Sequence, residues 1–230
     1  MSKIEWTEKT WNPASGCTKI SDGCKNCYAE KMAYRLQAMG TKGYENGFAV
    51  TLHPEKLDEP LKHKKPTIYF VCSMGDLFHE DMPFEFIDSV WAVMAAAGQH
   101  TFQVLTKRPD RMKEYLENQK YSPNSLGIAF ARIAGNKKTK DFLQPLPNVW
   151  LGVTAENQEQ ADKRIPILLD TPAALRFVSI EPMLSGIDLK KHLVGYKCFS
   201  CGYESLGSPR KCPSCGHSEL GDKYFSSAIS

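Results

Sequence analysis

Residues 67–76 read TIYFVCSMGD. The first six are β-branched, aromatic or apolar with no polar alternation, the pattern of a strand covered on both faces. The run is too short for a helix, and Ser73-Met74-Gly75-Asp76 then turns small and polar. Strands of this kind belong to parallel sheets with helices on their faces, so the surrounding chain should alternate strand with helix.

It does so in both directions. Downstream, Thr101–Leu105 (TFQVL), Val149–Val153 (VWLGV) and Leu175–Ile180 (LRFVSI) repeat the pattern, and a weaker strand lies near Thr10–Ser15. Helix candidates are Cys24–Met39, Pro83–Ala97, Pro109–Gln119 and Asn157–Leu169. Pro83 and Pro109 sit where a first helical turn accepts proline, and Gly40 and Gly98 where a helix would stop. Right-handed crossovers then give a parallel sheet. Five strands with neither a G-x-G-x-x-G nor a Walker motif favour an α/β fold of the partial TIM-like (β/α) barrel type over a Rossmann fold.

Lys120 to Pro147 shows no clear period and reads as a long loop. It carries Lys137, Lys138 and Lys140 just after Gly135 and Asn136. Such a cluster is most simply solvated surface, with a phosphate contact as the alternative. Composition shifts after Gly186, dividing the chain into a barrel at 1–186 and a C-terminal ribbon and tail at 187–230.

The whole chain has 230 residues, 42% hydrophobic and 24% charged, enough for one large domain and a small appendage. That balance excludes a disordered or fibrous protein. The longest apolar stretch, Val90–Ala97, falls far short of the ~20 residues of a membrane span. The N-terminus lacks an apolar signal core, so a cytoplasmic, reducing compartment is expected. A net charge of +3 does not by itself announce a nucleic-acid partner.

The eight cysteines are more informative. In a reducing compartment they favour metal over disulfides. Cys198, Cys201, Cys212 and Cys215 form C-x2-C-x10-C-x2-C, two knuckles that would close a tetrahedral sulfur site. Four thiolates leave no open position, so this is read as a structural Zn2+ ribbon, with a rubredoxin-like iron as the alternative. Cys17, Cys24 and Cys27 form C-x6-C-x2-C. Three thiolates suit a metal group with one position free for substrate, either an iron–sulfur cluster or a catalytic zinc. The plainer alternative is a second structural zinc completed by Cys72 or a histidine such as His79. Cys72 is otherwise read as packed at a strand end.

In barrels the active site lies at the C-terminal ends of the strands. Those ends deliver the three-cysteine loop, Ser73-Met74-Gly75-Asp76, Thr106-Lys107-Arg108, Thr154-Ala155-Glu156-Asn157 and Glu181-Pro182. Asp76 or Asn157 could simply cap a helix, and Lys107 could point at solvent. Glu181, ending an apolar strand, should face the mouth and needs a cationic partner such as Lys107 or Arg108.

A three-cysteine loop after the first strand of a parallel barrel resembles the radical S-adenosylmethionine (SAM) superfamily. More closely, IEWTEKTWNPASGCTKISDGCKNCYAE, CSMGDLFHEDMP, FQVLTKRP, WLGVTAEN and RFVSIEPML resemble a phage-associated family of unknown function, the phage gene product thirty-seven/sixty-eight proteins. These five segments occur in order over residues 4–186. The resemblance implies that Cys17, Cys24 and Cys27 hold a 4Fe–4S cluster. It implies that Ser73, Gly75 and Asp76 receive the amino group of SAM, and that Thr154 and Glu156 lie near its ribose. Glu181 would face the substrate or cofactor, and Lys107, from its strand-end position, is taken with it as a catalytic candidate. Two departures accompany it. The first cysteine gap is six rather than three, with Asn26 before Cys27 and Tyr28 after it, which demands a different loop path. Similar proteins also continue into a further strand, so the barrel is expected to be open, covered by a partner chain, or truncated.

The expectation is a radical SAM-type enzyme that needs a reductant and acts on an unknown, nucleic-acid-related substrate. The alternative is a non-enzymatic protein with two structural zinc sites that binds nucleic acid or a partner protein. Hydrolytic zinc chemistry is disfavoured, since it would want a histidine ligand and a carboxylate base nearby.

Overall fold

The structure is a computed structural model that describes residues 6–121, 124–134, 145–198, 204–206 and 220–224. The chain enters through β1 (Lys9–Trp11), which Pro13 ends by removing an amide donor. β2 (Ala14–Ser15) follows and pairs antiparallel with β3 (Thr51–Leu52). The single weak strand expected near Thr10–Ser15 is therefore two strands in different sheets. Between β2 and β3 lie the cysteine loop, a 3-10 turn at Asp22–Cys24, and helix α1 (Tyr28–Ala38). The helix expected from Cys24 begins only at Tyr28, because Cys27 keeps a non-helical backbone (ψ 120°). A short α2 (Glu59–Lys62) leads to the central strands.

Three strand–helix units and a final strand follow: β4 (Ile68–Val71), α3 (Phe84–Ala96), β5 (Thr101–Thr106), α4 (Pro109–Tyr121), α5 (Asn124–Ala134), β6 (Val149–Thr154), α6 (Gln158–Asp170) and β7 (Leu175–Ser179). β1, β4, β5, β6 and β7 form one sheet in that order, every pair parallel. The molecule is thus a mixed α/β fold with a five-stranded parallel sheet flanked by helices, and no closed barrel forms among the described residues. Each strand is added beside its predecessor, so all C-terminal ends line one edge. Trp11, Tyr69, Val71, Phe102, Val104, Leu151 and Val153 bury one face in the main core with α3 and α6. The opposite face is less covered than the sequence implies. Phe70, Leu105, Trp150 and Phe177 are half-buried there, with Trp6 edge-on to Phe70 at 4.7 Å.

The loop expected over Lys120–Pro147 is corrected. α4 runs on to Tyr121, and α5 packs against α3, with Ala129 and Phe130 buried in the main core and Ile133 against it. Gly127 and the polar flanks hid that inward stripe from the sequence pattern. Lys137, Lys138 and Lys140 lie outside the described residues.

Beyond β7, Ile187 and Leu189 pack on the main core, and His192 meets Asp162 at 3.1 Å. Then α7 (Lys190–Leu193) leads into β8 (Val194–Cys198), β9 (Glu204–Leu206) and β10 (Leu220–Tyr224), an antiparallel sheet in the order β10-β8-β9. Cys198 ends β8, whereas Cys201, Cys212 and Cys215 lie outside the described residues. Among those residues no helix is long and apolar enough to cross a membrane.

Candidate functional site

The cysteine loop is rooted where two backbones meet almost without side chains. Gly16 lies at φ +90°, its amide donates to the Met74 carbonyl at 2.9 Å, and it bridges Gly75 in parallel. A Cβ on Gly16 would stand 2.2 Å from the Ala49 carbonyl oxygen, and one on Gly75 would stand 2.7 Å from the Gly16 carbonyl oxygen. Only glycine permits that conformation and that approach. Asn12 Oδ1 fixes the other strand of this junction by accepting from Ser73 Oγ (3.2 Å) and the Met74 amide (3.0 Å). Ser73 and Gly75, expected to face a SAM amino group, are here the anchor of the loop that bears Cys17.

Asp76, the next residue, is buried and does not cap a helix. Oδ1 accepts from Thr106 Oγ1 (2.7 Å) and the Phe78 amide (3.0 Å). Oδ2 accepts from the Lys107 amide (3.2 Å) and Arg108 Nη1 (3.3 Å). The carboxylate therefore ties the end of β4 to the end of β5 and aims Arg108.

Arg108 is 6% exposed, and each of its five N–H donors has an acceptor. Nε faces both Glu80 oxygens at 3.0 Å, Nη2 donates to the carbonyl (3.2 Å) and hydroxyl (2.9 Å) of Thr18, and Nη1 reaches Cys17 Sγ at 3.3 Å beside Asp76. Burial works against its charge, but Asp76, Cys17 and Glu80 outweigh it and hold the proton more firmly than usual. His79 completes the frame: its Nδ1 accepts from the Asp81 amide (3.1 Å), which leaves Nε2 to donate to Thr18 Oγ1 (2.9 Å). Arg108 is thus taken by this network. Glu181, for which Lys107 or Arg108 was expected as partner, is solvent-exposed and has no ion pair among the described residues.

At the end of β6, Asn157 caps α6 by accepting from the Gln160 amide at 2.9 Å. Glu156 is fully buried: Oε2 accepts from Arg164 Nη1 (2.8 Å), which also donates to the Thr154 carbonyl (2.7 Å). Its Cδ lies against Gly23 of the cysteine loop. Burial raises its pKa, but the Ser21 hydroxyl and Arg164 more than offset this, so the carboxylate stays ionised. Thr154 and Glu156, expected near a ribose, thus support the far side of the same loop. Lys107 is half-buried and, with Arg108, Lys163 and Arg164, lines a cleft of about 560 Å³ between the loop and the starts of α4 and α6.

Cys17, Cys24 and Cys27 are all half-buried free thiols. Cys17 and Cys27 border an apolar wall of Ala29, Ala33, Tyr44, Phe48 and Met74. Burial pushes the Cys17 thiol up to about 11, whereas at Cys24 backbone and side-chain hydrogen bonds from Ile20 and Ser21 overcome burial and lower it. Cys72 is buried and its thiol is pushed up to about 12, which matches a packed strand end; its φ of 56° starts the turn into Ser73. Among the described residues no three Cys, His, Asp or Glu side chains converge on a single-ion site. Asn12, Thr18, Arg164 and the Arg108–Cys17 contact escaped the sequence reading. The one available signal was the polar Thr106-Lys107-Arg108 run at a strand end.

A family model described as "Protein of unknown function (DUF5131)" matches residues 1–217. The chain belongs to the DUF5131 family. No curated protein and no solved structure matches it. The match spans the parallel sheet, the cysteine loop and most of the 187–230 segment.

Proposed function

We propose that this DUF5131 protein is a radical SAM-type iron–sulfur enzyme, built on a partial TIM-like barrel with a C-terminal zinc ribbon. The observation that carries the reading is the placement of three free, half-buried thiols on one loop at the C-terminal edge of a parallel sheet. The donor set fits an iron–sulfur group: it is all sulfur, has an apolar wall, and carries a fixed cation beside Cys17. As a fourth zinc ligand His79 is disfavoured by its bonds to Thr18 and the Asp81 amide, and Cys72 by its burial in the main core. Cys17, Cys24 and Cys27 would hold a 4Fe–4S cluster, and Cys198, Cys201, Cys212 and Cys215 a zinc ion.

When bound, the cluster would supply the electron that cleaves SAM to methionine and a 5′-deoxyadenosyl radical. The chain's own residues bind and shield. Gly16, Gly75, Asn12 and Ser73 fix the loop's entry, Glu156 and Arg164 support its far side, and the apolar wall behind Cys17 and Cys27 shields it. We assign Lys107, at the cleft, and Glu181, exposed beyond β7, to the substrate side. The phage resemblance and the ribbon spacing point to a nucleic acid or nucleotide as substrate. A partner chain covering the edge strand β7, and an external reductant, complete the assignment.

The test is anaerobic reconstitution followed by metal and sulfide analysis, with SAM added to the reduced protein. About four irons and one zinc per chain, with release of 5′-deoxyadenosine, are expected. Two zincs and no iron would overturn the iron–sulfur reading. Cys24→Ala should abolish iron and leave the ribbon zinc. Loss of both metals together would show that the cysteines are wrongly partitioned.

A further inference from the structure

We infer that Arg108 is a positioning residue that sets the reduction potential of the group held by Cys17, an inference that rests on the cluster reading above. The contact is direct: Nη1 lies 3.3 Å from Cys17 Sγ, from a side chain 91 residues away in sequence. It is also rigid, because Asp76, Glu80 and Thr18 take the other donors and leave the guanidinium no alternative pose. A charged N–H donated to a ligating sulfur stabilises the extra negative charge of the reduced cluster, and so raises its potential.

The sign depends on the two carboxylates behind Arg108. Glu80 has a side chain 62% exposed, so water screens it, and Asp76 spreads its charge over four donors. The guanidinium donates directly to the sulfur at 3.3 Å, beside the Thr18 carbonyl at 3.4 Å. Removing Arg108 takes away the donated N–H and its charge and leaves Cys17 beside the Asp76 carboxylate, and both changes disfavour added negative charge on the sulfur.

The test uses the reconstituted full chain and redox titrations followed by electron paramagnetic resonance, with iron content measured in parallel. Arg108→Gln should lower the midpoint potential, and Arg108→Lys should lower it less, since it keeps the charge but not the fork. An unchanged or higher potential in an iron-replete Arg108→Gln protein overturns the inference and leaves the cluster reading intact. Wild-type protein without iron overturns both. Should Arg108→Gln fail to fold, as judged by its thermal melt, Thr18→Val removes one acceptor that aims the guanidinium and should give a smaller drop. An unchanged potential there counts equally against the inference.

Discussion

At the scale of single residues, the site is held by contacts that leave no room for a methyl group. Gly16 combines φ +90° with a would-be Cβ 2.2 Å from a backbone carbonyl, which no side-chain adjustment can relieve. A non-glycine residue in a sparsely populated conformation costs of the order of 1–3 kcal/mol, and the clash adds to that. Gly16→Ala should therefore destabilise the fold by more than about 2 kcal/mol, seen as a lower urea midpoint with an unchanged slope. A loss of ~0.5 kcal/mol or less would mean that the loop re-routes freely, and that its root at Gly75 does not fix Cys17.

At the scale of elements, legibility followed burial. Four of the five parallel strands stood out because their apolar runs are nearly continuous: Ile68–Val71, Thr101–Thr106, Val149–Thr154 and Leu175–Ser179. β1 has three residues and buries only Trp11, too little for any period to register. The site was half legible for a related reason. Strand-end positions can be counted along the chain, but the pairing of Arg108 with Cys17 or of Glu156 with the cysteine loop exists only after the sheet assembles. α5 was missed because its inward residues, Ala129, Phe130 and Ile133, are few and follow Gly127. Its burial makes a clear prediction. Phe130, 3% exposed, should cost about 3–4 kcal/mol when changed to Ala, whereas Ile128→Ala, at a position 54% exposed, should be close to neutral. Equal, small effects in chemical denaturation would return this stretch to a loop.

At the scale of the whole molecule, the small β2–β3 sheet is closed on itself by a histidine that folding keeps uncharged. His53 is 1% exposed, its Nε2 shares a 2.8 Å hydrogen bond with Ser15 Oγ, and its backbone amide donates to the Pro13 carbonyl at 2.7 Å. The charged groups facing it are Glu55 at 3.8 Å, Lys56 and Glu45, and the Tyr44 ring lies 6.0 Å away. Burial, aided by Lys56, lowers its pKa from the ordinary 6.5, and the two glutamates only partly compensate. A base with a depressed folded pKa binds fewer protons folded than unfolded, so stability rises with pH across this range. Its contribution is complete above about pH 6.5 and is lost as the pH falls through the folded value. Urea midpoints measured at pH 7.5 and again about two pH units lower should therefore fall on acidification in the wild type, and fall less in His53→Gln, which removes the titrating group. Parallel declines in the two proteins would place the acid sensitivity at another depressed histidine, with His79, whose pKa burial and Arg108 lower, next in line; the carboxylates Glu80 and Glu156 lose their contribution only below the ordinary 4.5, outside this window.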